Sequence, residues 1–250
     1  LTGAGAGGTI PAVRLVVCAT PAELASTAAA LFRDRLAEKP DLAMAVPAGR
    51  TPRPMYGLLR TLQRTAPADF SSMRVFAVDE LCPPAPDDGY FWRQVRTEFL
   101  AWAGVKPDRC HPFTVAAPDL GMMCAQYEAL IAAVGGLDLV MLGLGPNGHL
   151  ASNEPGSPFS SRSRPVWLLP ATLDYIRTDV ISHGAVCERA VTLGLATILD
   201  AREVVVLVSG EGKRAALRRM LDGPPTPDVP ASVLQFHPRC TIIADRAAAG

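Results

Sequence analysis

The sequence predicts an α/β protein built on a mostly parallel sheet with helices on both faces. Two observations carry that expectation. The apolar runs, such as 137–142 and 204–208, are short, rich in Val, Leu and Ile, and do not alternate with polar residues. Strands of that kind are buried on both faces. Longer stretches of helical period separate the runs, and strand followed by helix, repeated, makes neighbouring strands parallel. Taken in order, residues 13–18 read as a strand and 21–38 as an Ala- and Leu-rich helix with Thr20 as its N-cap. A strand at 43–46, a Gly/Pro turn and a helix over 53–64 follow. Next come a strand at 75–78, helices over 88–102 and 122–134, and a strand at 137–142. The second half adds strands at 166–169, 204–208 and 241–244, with helices near 213–221 and 231–235 between the last two. No repeat, low-complexity run or linker divides the chain. Residues 10–250 are therefore expected to form one domain behind a flexible leader at 1–9.

Composition removes several classes of function. Lys plus Arg is 24 and Asp plus Glu is 24 among 250 residues, so the net charge is zero. That gives no electrostatic case for nucleic acid or an anionic membrane. Charged residues at 19% against 49% hydrophobic exclude a largely disordered chain. The six cysteines (Cys18, Cys82, Cys110, Cys124, Cys187 and Cys240) are scattered and form no C-x-x-C pair. Reduced thiols in a cytoplasmic protein are expected, with no zinc site or disulfide framework. The apolar stretches are too short to span a bilayer.

In a parallel sheet, sites form in loops that leave the carboxyl ends of strands, and four segments fit that position. The first, Pro47-Ala48-Gly49-Arg50-Thr51-Pro52, joins a strand to a helix. It suits a phosphate, with Gly49 allowing close backbone approach, or it is a tight turn with Thr51 as N-cap and Pro52 at the first helical position. The second is the acidic pair Asp79-Glu80. A bare pair of this kind is ordinarily two solvated loop acids. In a crevice, though, one carboxylate can face a substrate and shuttle a carbon-bound proton while the other anchors the loop. The third segment, from Gly143 through Gly145, Asn147, Gly148 and His149 to Glu154, is the most informative. Three glycines mark a backbone that crowds something. His149 can act as acid or base near neutral pH, with Asn147 and Glu154 placed to orient it. His111, His183 and His237 lack such settings and are expected to be structural or exposed. In the fourth, Lys213 falls at a helix start, where the helix dipole disfavours a cation; a bound phosphate would explain it, and without one it reads as a solvated surface lysine.

Taken together these segments resemble the glucosamine-6-phosphate deaminase (isomerase) family, within the superfamily shared with 6-phosphogluconolactonases. The stretches that carry the likeness are VPAGRTPRPMY, VFAVDE, LDLVMLGLGPNGHLASNEPGSPFSSRSR, AVTLGLATILDAREVVVLVSGEGKRAALRRMLDG and PASVLQFHPRCTIIAD. The resemblance implies a Rossmann-like fold acting on a sugar 6-phosphate without metal or organic cofactor. It implies that His149, oriented by Asn147 and Glu154, opens the sugar ring, and that Asp79 moves a proton from C2 to C1. The products would be fructose 6-phosphate, or a related ketose phosphate, and ammonia. This would be a deaminase/isomerase of the hydrolase class. Gly49, Arg50, Thr51 and Lys213 would hold the phosphate, with Arg177 a candidate for the family's phosphate-binding arginine, and Ala48, Glu80, Gly145 and Gly148 would complete the substrate site. A homo-oligomer is compatible with the resemblance.

Some residues depart from the deaminase pattern. Leu81 stands where deaminases usually carry Tyr, Arg50 is closer to lactonase usage, and Ala151-Ser152 is shared with lactonases. The acidic pair that lactonases carry before Gly-His is replaced by Pro146-Asn147, and Asn153-Glu154-Pro155 follows the deaminase pattern. The alternative function is lactone hydrolysis, with His149 activating water. A non-catalytic sugar-phosphate sensor is a third reading, but no basic helix-turn-helix segment accompanies it.

Overall fold

The computed structural model describes residues 13–82, 89–178 and 187–250. Its strands are β1 (Arg14–Cys18), β2 (Ala43–Val46), β3 (Arg74–Ala77), β4 (Asp79–Cys82), β5 (Cys110–His111), β6 (Leu139–Gly143), β7 (Arg164–Trp167), β8 (Arg189–Thr192), β9 (Glu203–Val208) and β10 (Cys240–Asp245). Its α-helices are α1 (Pro21–Glu38), α2 (Arg53–Leu62), α3 (Phe91–Val95), α4 (Ala101–Ala103), α5 (Leu120–Ala133), α6 (Pro170–Arg177), α7 (Leu195–Leu199), α8 (Arg214–Asp222) and α9 (Arg246–Ala249).

Seven strands form one sheet in the order β1-β10-β9-β6-β2-β3-β5, and every pairing in it is parallel. Successive side chains of a strand point to opposite faces. All six residues of β9 and all four of β2 are buried, so both faces of the sheet are covered. Helices supply the cover, with Phe32, Leu59, Leu217 and Met220 joining the strands in one core. Thr20 caps α1 as expected, accepting from the Glu23 amide at 3.2 Å.

The strand order creates the crevice. From β2 the chain steps outward to β3 and β5, then returns to lay β6 on the other side of β2 and continues to β9 and β10. The loops leaving β2 and β6 therefore diverge from neighbouring strand ends, which is where open α/β sheets bind ligands.

Other parts of the fold differ from expectation. The strand expected at 166–169 is β7, and it belongs to a separate three-stranded sheet, β4-β8-β7, whose pairings are antiparallel. β4 and β8, both in this sheet, were not expected, nor were α6 and α7. The helix expected over 88–102 starts at Phe91 and widens into a π-type turn over Arg96–Leu100. The leader at 1–9 and His183 lie outside the described residues. His237 is structural, with Nε2 2.8 Å from the Ala201 carbonyl, and His111 packs on Phe76 with ring centroids 4.6 Å apart. Among the described residues no helix is long and apolar enough to cross a membrane.

Candidate active site

A cleft opens at the carboxyl ends of β2 and β6. Ala48, Gly49, Arg50, Thr51, Asp79, Gly145, His149 and Lys213 all line it. Four sequence-distant loops thus meet at one place, as the resemblance implies.

The loop after β2 is held from behind. Tyr56, stacked on Phe99 with centroids 5.4 Å apart, donates its hydroxyl to the Pro47 carbonyl at 2.8 Å. The Gln94 side chain clamps Gly49 on both sides, accepting from its N–H and donating to its carbonyl, each at 2.9 Å. Gly49 has φ of 104°, a conformation that favours glycine. α2 starts at Arg53 after Pro52 with no side-chain cap, so Thr51 lines the cleft rather than capping the helix. Lys213 arrives from the β9 loop, where Asp245 ties Ser209 and accepts from the Gly210 amide at 3.1 and 3.0 Å. Tyr175 of α6 lies beside both cations, its ring 4.3 Å from Lys213 Nζ and 5.7 Å from Arg50 Cζ.

The acidic pair splits. β3 ends at Ala77, and Asp79 opens β4 in the other sheet, its side chain in the cleft. Burial pushes the Asp79 carboxyl up to about 7, opposed by a hydrogen bond from the Ser152 hydroxyl and reinforced by the charge of Glu80. Glu80 turns the opposite way. Its carboxylate accepts from the backbone N–H groups of Leu81, Tyr90, Phe91 and Trp92 at 2.8–3.1 Å. A Cβ on Gly89 would collide with it, so glycine is required there. Glu80 is thus a loop anchor, which corrects the expectation that it binds substrate.

His149 is partly buried, and a Cβ on Gly145 would overlap its ring. His149 Nδ1 faces Thr172 Oγ1 at 3.5 Å and Glu154 Oε2 at 3.7 Å, which leaves Nε2 for a substrate. Burial lowers the imidazole's pKa below its ordinary value, Glu154 opposes that shift and Lys213 adds to it, so the ring is neutral at neutral pH. Asn147 donates to Glu154 at 2.8 Å and accepts from the His149 amide at 3.1 Å. Neither Asn147 nor Glu154 lines the cleft, and both contact His149 from behind it.

Two more expectations are corrected. Gly148 faces Val229, not the cleft, and its φ of 92° serves the turn. Arg177 lies outside the lining and pairs with Asp174 at 3.0 Å on the surface. The residues that sequence reasoning missed are Gln94, Ser152, Thr172, Tyr175 and Asp245. Each acts through contacts with residues distant in sequence, which no local motif signals. Among the described residues no group of three or more His, Cys, Asp or Glu side chains is arranged to hold a metal ion.

Residues 19–242 match the family described as glucosamine-6-phosphate isomerases/6-phosphogluconolactonase. The chain belongs to this family. Within it, a glucosamine-6-phosphate deaminase of Pseudarthrobacter chlorophenolicus is 37% identical over 238 residues, covering 95% of this chain and 92% of the relative. Glucosamine-6-phosphate deaminase 2 of Giardia intestinalis is 38% identical over 228 residues, covering 88% and 86% of the two chains. A solved monomeric glucosamine-6-phosphate deaminase superposes with a TM-score of 0.89 at 32% identity, covering 94% of this chain and 98% of its own. A 6-phosphogluconolactonase of Trypanosoma cruzi shares the fold, with a TM-score of 0.76 at 23% identity and 96% coverage of both chains.

Proposed function

We propose that this family member converts glucosamine 6-phosphate, or a related amino-sugar 6-phosphate, to the ketose 6-phosphate and ammonia. The observation that carries the reading is the pairing of Asp79 with His149 in one cleft that also holds Arg50, Thr51 and Lys213. A carboxyl held near 7 is matched to proton abstraction at neutral pH. A neutral imidazole can accept the proton of the C1 hydroxyl and deliver it to the ring oxygen, opening the ring. Arg50, Thr51 and Lys213 bind the phosphate and fix the reacting carbons over Asp79. Asp79 then takes the C2 proton to give an enolamine and returns it at C1. The resulting C2 iminium adds water and expels ammonia. The sum consumes one water and breaks a C–N bond, so the enzyme falls formally in the hydrolase class although its central step is an isomerisation. Charge keeps a phosphorylated sugar from crossing a membrane unaided, which supports a cytoplasmic location.

The test is incubation with glucosamine 6-phosphate, reading ammonia and fructose 6-phosphate in parallel. Equal amounts are expected, and neither product would overturn the reading. Arg50 and Ser152 favour a second reading, hydrolysis of 6-phosphogluconolactone at the same site. Acid release from that lactone without ammonia from the amino sugar would replace the first reading by the second.

A further inference from the structure

Ser152 is buried in the cleft wall with 3% of its surface exposed, and its hydroxyl stands 2.7 Å from Asp79 Oδ2. The surrounding structure holds it there. Its N–H donates to Thr192 Oγ1 at 3.1 Å, on the residue of β8 that pairs with Asp79 itself. The neighbouring Asn153 donates to the carbonyls of Leu150 and Leu193 at 3.0 and 2.8 Å, and Arg164 grips its side-chain oxygen at 2.8 Å. On the other side, Ala151 has φ of 51°, the one positive φ of a non-glycine among the described residues. Backbone strain of this sort persists where surrounding contacts over-determine it, and it clusters at functional sites. Here it belongs to the turn that puts His149 and Ser152 on the same cleft.

We propose that Ser152 is a positioning residue for the proton transfer, anchoring Oδ2 of Asp79 so that Oδ1 takes the C2 proton and returns it to C1. This rests on the deaminase reading above. In the forward step the C2–H bond breaks and its electron pair becomes the C1–C2 double bond. The carbonyl pair moves onto O1, which takes a proton from the substrate's own ammonium group, and the C2 proton rests on Oδ1. On return the double bond forms C1–H with that proton while the nitrogen lone pair makes the C2–N double bond. Asp79 ends ionised, as it began. Fixing one oxygen keeps the proton-bearing one over both carbons. The anchoring bond also stabilises the ionised carboxylate, because a donor to an anion favours the charged form.

Few other charges face Asp79. Glu80 shares its strand but is bound by backbone amides. The facing residue of β8 is the uncharged Thr192, and α3 presents Phe91. Arg164 of β7 is engaged by Asn153 and Ser157, and His149 and Lys213 belong to other parts of the lining.

The experiment compares wild type with Ser152→Ala and Ser152→Thr. It reads the pH profile of kcat/KM and the fraction of deuterium carried from C2 to C1 of a 2-deuterated substrate. Loss of the hydroxyl is expected to move the acidic limb upward by about one pH unit. Activity would fall about tenfold at pH 6 and less than about threefold at pH 9, and the carried fraction would drop at least about twofold. The Thr variant keeps the hydroxyl and restores both readouts. A Ser152→Ala profile superposable on wild type overturns the proposal. So does a loss uniform in pH that Thr fails to restore, since that is a packing effect. Should the Ala variant not fold, Ser152→Cys, nearly isosteric and a weak donor, carries the same comparison. Independently of turnover, the Asp79 carboxyl carbon followed by carbon-13 NMR is expected to titrate higher without the hydroxyl. An inactive wild type would remove the functional reading, while this titration would still decide the anchoring bond, and an unchanged midpoint would refute it.

Discussion

The two sheets furnish opposite walls of one cleft and do so by different means. The seven-stranded sheet sits in a large core, and its loops are pinned from behind: Tyr56 and Gln94 on 47–49, Asp245 on the β9 loop, the Gly145 contact under His149. The three-stranded sheet places Cys82 and Val191 in that core, but its other face packs in a far smaller cluster built on Leu81, Leu168, Ile176, Cys187 and Ala190. Yet it delivers Asp79 from its first residue, and the helix after it brings Thr172, Tyr175 and Ile176 over the cleft. The large core fixes the loops that line the cleft, and the small sheet adds Asp79, the proposed base. Asp79 stands at the seam, two residues beyond the end of β3, which explains why its side chain and that of Glu80 meet such different surroundings.

That division makes distinct predictions for the two walls. The largest effect belongs to the base. Asp79→Asn should lower kcat by about 10³-fold or more while phosphate binding, measured calorimetrically, stays within about threefold. Equal loss of both would mean that the two walls are not separable. On the other wall, Lys213→Ala should raise KM by about tenfold or more with kcat little changed, the mark of lost ground-state binding. An unchanged KM would remove Lys213 from the phosphate subsite.

Stability should divide the same way. Leu139 of β6 and Leu81 of β4 are both fully buried. Denaturant unfolding should put Leu139→Ala near 4 kcal/mol of destabilisation and Leu81→Ala near ~2 kcal/mol, because a small cluster collapses more readily around a cavity. Only Leu81→Ala should also depress kcat, since it loosens the strand that carries Asp79.

The ionisation of Asp79 itself gives a pH-dependent effect. Its carboxyl is raised from 3.8 to about 7, so its contribution to stability is complete below pH 3.8 and is lost as pH rises through 7. His149, lowered from 6.5, acts in the other direction: its contribution is present above pH 6.5 and is lost as pH falls through the lower native value. The difference in unfolding free energy between Asp79→Asn and wild type cancels the histidine. It should grow from near zero at pH 4 toward an upper value on the order of 4 kcal/mol by pH 8. A flat difference would mean that Asp79 is solvated.

What was legible in the sequence follows the same seam. The buried strands β2, β6 and β9 are continuous apolar runs, with only Gly143 at the end of β6 partly exposed, and their loops carry Gly, His and Lys in recognisable settings. β4, β8 and β7 are only four residues each and read as loop or as more of the same sheet. The pairing of β4 with β8 joins residues more than 100 apart in the chain, such as Asp79 with Thr192, which periodicity cannot report. The pocket lining at Ala48–Thr51, Asp79, Gly145, His149 and Lys213 was legible because each closely follows the carboxyl end of an apolar strand. The opposite orientations of Asp79 and Glu80 were not, because they depend on four backbone amides that converge only after folding. Arg177 entered by resemblance alone, and its side chain pairs with Asp174 on the surface.

In the proposed reaction one carboxylate, Asp79, moves one proton between adjacent carbons of an amino-sugar phosphate, and turnover of glucosamine 6-phosphate deuterated at C2 decides whether it does. A primary isotope effect on kcat is expected, with deuterium recovered in part at C1 of fructose 6-phosphate and neither signal in Asp79→Asn. Ammonia released at an undiminished rate with no deuterium at C1, or an Asp79→Asn variant that still transfers the label, would contradict it.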